Sequence, residues 1–223
     1  MDVTIFDFIL GLHIVGGGVG LLFGTIAMIR PKGDGPHRKF GKGFYVGMLL
    51  ASLSGLVLSV MHPNTFLFVI GAFTLYMVGS GYRYLKLKGL PHRNKAKWID
   101  WGLSGMMILF ALAFFVQGAR SLSQGNFFGV VMLVFGAIGT LMVYGDIKFY
   151  QGIIKSRTFW LRGHIARMCG AYIASLTAFL VVNIYFLPPL VIWLLPTVII
   201  TPLIVKWSRK YKMGEREEPA DLS

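Results

Sequence analysis

The sequence predicts an all-α polytopic membrane protein, a bundle of seven transmembrane helices with the N-terminus outside and the C-terminus in the cytoplasm. Hydrophobic residues make up 55% of the 223 residues, and charged residues make up only 14%, about half the charged fraction of a typical soluble domain. The mean hydropathy is +0.66. A soluble domain of this length could not bury so much apolar surface, so we expect lipid to surround most of the chain.

Seven apolar runs are long enough to cross a bilayer, whose hydrocarbon core of about 30 Å takes about 20 helical residues. Backbone polar groups in lipid must be bonded within the segment, so such runs are helices, and the period-2 alternation of a membrane barrel is absent. The runs cover residues 5–28, 43–61, 66–84, 99–117, 127–147, 163–187 and 189–207. They form one transmembrane domain over 1–212, and we expect the polar segment 213–223 to be a disordered cytoplasmic tail.

The first run combines glycines with one histidine on a single helical face. Gly16, Gly20 and Gly24 repeat every fourth residue, and His13 precedes them on the same face. Such a stripe of small residues lets another helix or a flat ligand approach closely. It predicts either tight packing of the bundle or a slot for a porphyrin, a quinone or a lipid tail.

Basic residues are sorted to one side of the predicted bundle. Of the 22 Lys and Arg residues, all but Arg120 fall in the first, third and fifth loops, at the start of the sixth run or at the end of the chain. Basic loops stay in the cytoplasm, which predicts the stated orientation. The first residues lack the positive charge of a signal peptide, so we expect the first span to be retained. Anionic lipid head groups are the expected partners of the basic side, and nucleic acid is not expected.

A short pattern recurs at two helix starts on the predicted cytoplasmic side. His37 and His164 are each followed by a glycine at the sixth position and by a tyrosine at the eighth, Tyr45 and Tyr172. The two helices run in the same direction. The pattern therefore predicts either a parallel internal duplication or convergence at two cytoplasmic helix starts.

Ionisable residues within the runs lie near the cytoplasmic ends, away from helix centres, where each would cost about 2.5–3.5 kcal/mol. Asp100 opens the fourth run, Asp146 closes the fifth, and His164 and Arg167 share one face of the sixth. Antiparallel packing predicts that Asp146 lies near Arg167 or His164. Three tyrosines at similar depth could complete a hydrogen-bonded cluster, and two histidines lie in neighbouring loops: Tyr45, Tyr144, Tyr172, His37 and His92.

Four interpretations of this cluster are open. It could be an ion-pair network that locks the helix ends together. It could bind an anionic head group or substrate through Arg167, or relay protons through Asp146 and His164. It could hold zinc or iron through His164, His37 or His92 and one aspartate, although no short metal-binding spacing is present.

A b-type haem needs two histidines at matching depth on facing helices. His13 lies beside the glycine stripe. His62 is closer to the membrane surface than His13, so the two are not at matching depth, and we expect His62 to be an exposed interfacial residue. The alternative for His13 is a neutral ring bonded to a helix carbonyl or a hydroxyl. A catalytic nucleophile is not indicated, because Cys169 in its apolar helix is typical of a buried, unreactive thiol.

The sixth run carries a family resemblance. From Trp160 to Asn183 it reads WLRGHIARMCGAYIASLTAFLVVN, which resembles the signature WLxxHxxRMxGAYIAxxTAFxVVN of an uncharacterised bacterial family of predicted polytopic membrane proteins. The first loop, from His37 to Val46, and Gly145-Asp146 resemble the same family. The resemblance implies a multi-pass protein of the bacterial plasma (inner) membrane with the His, Arg and Asp cluster as a unit, and it implies no substrate.

The best-supported function at this level is binding or transport of a small anionic molecule or lipid at a cytoplasm-facing site. Arg167 would hold the anion, His164 would titrate or ligate, and Asp100 and Asp146 would orient them. Tyr45 and Tyr172 are the candidate neighbours.

Two other functions are open. One is a redox protein that binds haem b or a metal ion through His13, His164 or His37. The other is a non-catalytic subunit of a membrane complex or a homo-oligomer.

Overall fold

The computed structural model describes residues 4–90 and 95–217, and every regular element in these ranges is an α-helix. The predicted all-helical class is therefore confirmed. His92 and its neighbours at 91–94 lie outside the described residues. The helices are α1 (Ile5–Ile29), α2 (Gly35–Met61), α3 (Thr65–Lys86), α4 (Trp98–Ser123), α5 (Phe128–Tyr150), α6 (Phe159–Asn183) and α7 (Pro189–Glu217).

Among the described residues, six helices are long and apolar enough to cross a membrane: α1, α2, α4, α5, α6 and the Val191–Tyr211 part of α7. In α3, Gly, Ser, Thr, Tyr and Arg residues interrupt the apolar sequence. This helix contacts α2, α4, α5 and α6, so protein surrounds much of it. A helix packed among others can carry polar side chains that a lipid-facing helix cannot.

Helix α2 begins at Gly35, eight residues before the predicted position 43. The Asp34 carboxylate caps it by accepting a 2.6 Å hydrogen bond from the backbone N–H of His37. Pro36 fits the first turn, because its fixed φ angle suits that position. His37 therefore lies in the first turn of α2 and not in a loop.

Helix α7 continues past its predicted end at 207 to Glu217, and it includes Pro196 and Pro202. The segment predicted to be a disordered tail, 213–223, is therefore helical over 213–217. Glu215, Arg216 and Glu217 in this stretch are good helix formers, and the prediction from polar composition did not take this into account. Residues 218–223 lie outside the described ranges.

Glycines bring α1 and α2 into close contact. A Cβ atom added to Gly47 would lie 2.7 Å from the carbonyl oxygen of Gly16, and one added to Gly20 would lie 2.0 Å from the side chain of Met48. At Gly16 an added Cβ would lie 3.0 Å from the backbone nitrogen of Ala51. The packing interpretation of the glycine stripe is therefore confirmed at these positions.

Contacts between side chains bring the basic loops to one end of the bundle. The Lys32 ammonium, between α1 and α2, lies 4.1 Å from the ring centre of Trp207 near the end of α7. The Lys88 ammonium, after α3, lies 5.6 Å from the ring centre of Trp160 in α6. We call this end, formed by the loops after α1, α3 and α5 and by the last turns of α7, the basic end.

Candidate functional site

Asp146 of α5 is the centre of a buried network near the basic end. Its carboxylate accepts hydrogen bonds from the hydroxyls of Tyr76 and Tyr84 on α3, both at 2.5 Å, and from Ser104 on α4 at 3.2 Å. The guanidinium of Arg167 on α6 donates to the same carboxylate. One side chain with no exposed surface thus joins four helices.

Arg167 packs between two tyrosine rings. Its guanidinium carbon lies 4.4 Å from the ring centre of Tyr84 and 5.6 Å from that of Tyr76, whose hydroxyl also accepts a 3.2 Å hydrogen bond from it. Gly81 leaves room for this side chain, since an added Cβ there would lie 3.0 Å from the Cβ of Arg167. Because its charge is already paired with Asp146, Arg167 is poorly placed to hold an incoming anion.

Asp100 belongs to a separate ion pair. Its two carboxylate oxygens accept hydrogen bonds from Nε and Nη2 of Arg83 on α3, at 2.7 and 2.8 Å. One of them also accepts a 2.8 Å hydrogen bond from the backbone N–H of Lys97, which caps α4. The predicted four-residue cluster is therefore divided between two ion pairs, and His164 belongs to neither.

Three tyrosines that we expected to complete the cluster lie elsewhere. Tyr45 stacks on Tyr82, with ring centres 4.3 Å apart. The hydroxyl of Tyr172 lies 2.6 Å from the hydroxyl of Thr25 on α1. Tyr144 is 57% exposed. The expectation fails because depth in the membrane does not fix the direction in which a side chain points.

The tyrosines that do bond Asp146 were missed by sequence reasoning. Tyr76 and Tyr84 are eight residues apart, and Ser80 lies midway between them, so all three share one face of α3. A polar stripe of this spacing within an apolar helix was the available signal. It points to a helix that packs among others instead of facing lipid.

A cavity of about 560 Å³ opens beside the network, among α1, α2, α3, α6 and α7. We call it the inner cavity. Its polar lining is largely basic and comes from Lys32, His37, Arg38, Lys42, Lys86 and His164. None of the described Asp and Glu residues lines it. Aromatic and methionine side chains contribute much of the remaining wall, among them Phe44, Tyr82, Trp160, Met168, Tyr172 and Trp207.

His37 and His164 are held in the inner cavity in the same way. The Nδ1 atom of His37 lies 2.9 Å from the carbonyl oxygen of Ala27, and that of His164 lies 2.9 Å from the carbonyl oxygen of Gly81. A carbonyl oxygen can only accept, so Nδ1 carries the proton in the neutral ring and Nε2 keeps its lone pair. This orientation suits a metal ligand or a hydrogen-bond acceptor.

Lys32 lines the inner cavity from the loop between α1 and α2. Its ammonium donates to the carbonyl oxygens of Met28 and Ala27 at the end of α1, where the helix dipole favours a positive charge. Partial burial lowers the pKa of the Lys32 ammonium. Its charge is therefore more sensitive to pH than that of an exposed lysine.

The other histidines and the cysteine lie apart from the network. The Nδ1 atom of His13 lies 2.8 Å from the carbonyl oxygen of Ala51, which confirms its predicted bond to a helix carbonyl. His62 is exposed as predicted, and its ring packs edge to face on Phe6 at 4.5 Å between centres. Cys169 is a buried free thiol, as predicted.

Within the described residues, no three His, Cys, Asp or Glu side chains come together as metal ligands. The predicted metal site that combines a histidine with Asp100 or Asp146 is not formed, because both carboxylates are engaged by arginines. The metal-ligating side chains that line the inner cavity are His37, His164 and Cys169, and these three do not come together as one ligand group.

No protein-family model, curated protein or solved structure matches the chain. The resemblance of the sixth helix to an uncharacterised family therefore stays a prediction. The geometry of the inner cavity is what bears on function.

Proposed function

We propose that this chain is a seven-span membrane protein that binds a small anionic molecule or lipid in the inner cavity, for retention or for transport. The observation that carries this proposal is the cavity lining. Basic side chains surround about 560 Å³, none of the described carboxylates is among them, and aromatic groups make up much of the rest. Such a lining complements an acidic head group joined to an apolar body.

The two parts of such a ligand have separate places in the cavity. Arg38 lies at the capped start of α2, where the positive end of the helix dipole adds to its charge, and Lys42 lies one turn further along the same helix. We assign the acidic head group to these residues and to Lys32. The apolar body would then lie against side chains such as Phe44 and Met168.

The buried network supports this site without touching the ligand. Arg167 and Asp146 do not line the inner cavity. They fix α6 against α3 and α5, and His164 lies one turn before Arg167 on the same face of α6. In this proposal Arg167 is a positioning residue, and His164 is one of the cavity-lining residues that contact the ligand.

The same proposal includes the topology. We take α3 as the seventh span, the N-terminus as external, and the basic end as the cytoplasmic side of a bacterial plasma membrane. The concentration of Lys and Arg at the basic end, with Arg120 at the opposite end, supports this orientation. The inner cavity then opens toward the leaflet whose anionic head groups attract basic loops.

Binding of dodecyl phosphate to the purified protein in lipid nanodiscs tests the proposal. We expect saturable binding of dodecyl phosphate and none of dodecyltrimethylammonium, which has the same tail and the opposite charge. Inorganic phosphate, which has no tail, shows whether the cavity takes a free anion or a lipid. If inorganic phosphate binds as tightly as dodecyl phosphate, the apolar wall does not contribute to binding and the ligand is a free anion. Equal binding of the two dodecyl compounds would overturn the proposal.

A pair of variants on one helix ties that binding to the cavity. Lys42→Gln should weaken dodecyl phosphate binding about fivefold, the effect of losing one partly exposed charge. Lys39→Gln removes the same charge from an exposed position of α2 outside the cavity, so it should leave the affinity unchanged. If both variants weaken binding equally, the anion is held by the general surface charge.

One observation favours a second function, the binding of haem or a metal ion. His37 and His164 line the same cavity, and each has an Nε2 lone pair freed by its Nδ1 bond. Two histidines are the ligands of many b-type haems, and the basic residues would suit haem carboxylates. These two side chains would hold the iron, which would supply electron transfer.

The absorption spectrum of the pure protein, before and after addition of haemin, tests this second function. A Soret band that is lost in both His37→Ala and His164→Ala and kept in His62→Ala would support it. His62 is the matched control because it is exposed and outside the inner cavity. A spectrum with added haemin that equals that of haemin without the protein, together with no binding of a transition metal, would exclude it.

A further inference from the structure

We propose that a second cavity, in the other half of the bundle, binds a neutral membrane-soluble molecule whose head group carries hydroxyls, of the hydroquinone type. This outer cavity has a volume of about 620 Å³ and lies among α1, α2, α3 and α6. The inner and outer cavities have no lining residue in common. The inference therefore stands independently of the function proposed for the inner cavity.

The lining of the outer cavity indicates a neutral ligand. None of its residues is Lys, Arg, Asp or Glu, and most are aliphatic or glycine. An ion in such a site would lose its hydration without gaining an opposite charge. The outer cavity thus differs in kind from the basic inner cavity.

His13 of α1 contributes a hydrogen-bond acceptor to the outer cavity. Its Nδ1 lies 2.8 Å from the carbonyl oxygen of Ala51, so Nδ1 carries the proton of the neutral ring. The Nε2 atom keeps a lone pair and has no hydrogen-bond partner among the described residues. A ligand that brings a donor would satisfy this nitrogen.

Thr74 of α3 contributes the second group. Its Oγ1 atom has no hydrogen-bond partner among the described residues, although the residue is only 4% exposed and lines the outer cavity. Thr25 and Thr140, by contrast, donate to the carbonyl oxygen four residues before them. A buried hydroxyl without a partner is destabilising, and a ligand that bonds it would remove the penalty.

Other hydroxyls in the outer cavity are already engaged. Ser52 donates to the carbonyl oxygen of Met48 at 2.7 Å, and Ser175 donates to that of Ala171 at 2.8 Å. Among the hydroxyl and imidazole groups of the lining, this contrast makes His13 and Thr74 the ones that a ligand would bond. The amides of Asn64 and Asn183, which also line the cavity, each bond a backbone atom of their own helix.

The chemistry of these two groups defines the ligand class. Nε2 of His13 requires a hydrogen-bond donor, such as a hydroxyl, and cannot bond a ketone or quinone oxygen, whereas the Thr74 hydroxyl can donate or accept. Gly17 and Gly18 line the same cavity, and an added Cβ on either would have nothing within 4 Å. A ring with two hydroxyls and an apolar tail matches this combination of acceptor, hydroxyl and open apolar space.

Equilibrium binding of 2-decylhydroquinone to the protein in nanodiscs, without oxygen and with empty nanodiscs subtracted, tests the inference. The matched probe is its dimethyl ether, which has the same shape and no donor. We expect the hydroquinone to bind saturably and about tenfold more tightly than the ether, as for one hydrogen bond to a buried group. Equal affinities would overturn the inference, because the cavity would then accept apolar molecules of any kind.

The Thr74→Val variant distinguishes a ligand-binding role of Thr74 from a purely structural one. It removes a hydroxyl without a partner, so the thermal stability of the free protein should be unchanged or raised while hydroquinone binding weakens about tenfold. Thr140→Val makes the same change on α5, away from the outer cavity, and should leave that affinity unchanged. Unaltered hydroquinone binding by Thr74→Val would overturn the assignment of Thr74.

Histidine-selective ¹⁵N labelling locates the bound hydroquinone. The Nε2 resonance of His13 should shift on addition of the hydroquinone and not on addition of the ether. Dodecyl phosphate, the probe for the inner cavity, should leave it unchanged, so failure of one site is distinguishable from failure of the other. A hydroquinone that binds without moving this resonance would overturn the assignment of His13.

Discussion

Arg167 and Asp146 form an ion pair that is sealed inside the bundle, with side-chain exposures of 6% and 0%. The Asp146 carboxylate is also bonded by two tyrosines and a serine, so its oxygen atoms are fully occupied. A buried pair with a saturated carboxylate fixes the arrangement of helices. Nε of Arg167 has no hydrogen-bond partner among the described residues, but it is buried and Arg167 does not line the inner cavity. Of the interpretations that the sequence left open, the geometry favours an ion-pair network for these two residues.

We therefore predict that Asp146→Asn destabilises the fold by about 3–5 kcal/mol, because it leaves the Arg167 charge buried without a counter-charge. The measurement is the unfolding midpoint of the purified protein in detergent, followed by circular dichroism. The double variant Asp146→Asn/Arg167→Met removes both charges and should recover part of the loss. If Asp146→Asn abolished anion binding at full stability, the network would belong to the ligand site.

Asp100→Asn should cost less stability than Asp146→Asn, although both remove a carboxylate paired with arginine. The Arg83 side chain is 18% exposed, so water can solvate its charge when Asp100 no longer pairs with it. We expect a loss of about 1 kcal/mol, within the range of partly exposed pairs. The same detergent unfolding assay compares the two variants, and a larger loss in Asp100→Asn would contradict this ordering.

The sequence predicts that Asp146 lies near Arg167 or His164, because antiparallel helices that follow each other in the chain bring the end of one to the start of the next. The structure selects Arg167. The tyrosine partners of this pair were not predicted. Tyr76 and Tyr84 become partners only because α3 packs against α4, α5 and α6, and helix order along the chain does not determine which helix is central. Hydropathy and the sorting of charge do not indicate which distant helices pack together.

The lining of the inner cavity also depends on packing between helices that are distant in the chain. His164 is a candidate site residue because it shares a helical face with Arg167, and His37 because it is near in the first loop. The structure places both in one cavity. The sequence pointed to Arg167 as the residue that holds the anion, but Arg38, Lys42 and Lys32 line the cavity instead. Predicting that difference would require the relative positions of α1, α2 and α7, which depend on contacts between distant residues.

A glycine substitution on α2 tests the close packing of α1 against it. In Gly47→Ala the new Cβ would lie 2.7 Å from the Gly16 carbonyl oxygen and 2.8 Å from the Gly20 nitrogen, both backbone atoms that cannot rotate away. We expect a loss of about 1–3 kcal/mol from forced separation of the helices. Gly41→Ala, on the same helix with nothing within 4 Å of the added atom, should be neutral or slightly stabilising. Equal midpoints in thermal unfolding would contradict the tight α1–α2 contact.

The pH dependence of anion binding tests the role of Lys32. Burial lowers the pKa of its ammonium from the ordinary value of 10.5, so its charge is lost at a lower pH than that of an exposed lysine. A phosphate monoester is fully ionised above about pH 8, so a change in affinity above this pH reflects titration of the protein and not of the ligand. We expect the affinity for dodecyl phosphate to fall as the pH rises from about 8 toward the lysine range.

Unfolding of the protein cannot explain a fall in the affinity for dodecyl phosphate as the pH rises. The folded protein releases the Lys32 proton at a lower pH than the unfolded chain does, so the unfolded state binds more protons between the two pKa values. Between these two pKa values, the titration of Lys32 therefore makes the free energy of unfolding rise with pH, while anion binding weakens. Lys32→Arg keeps its charge throughout, so it should remove the fall in affinity, whereas Lys39→Arg on the exposed face of α2 should not. Identical pH profiles for Lys32→Arg and the unaltered protein would show that Lys32 does not contact the anion.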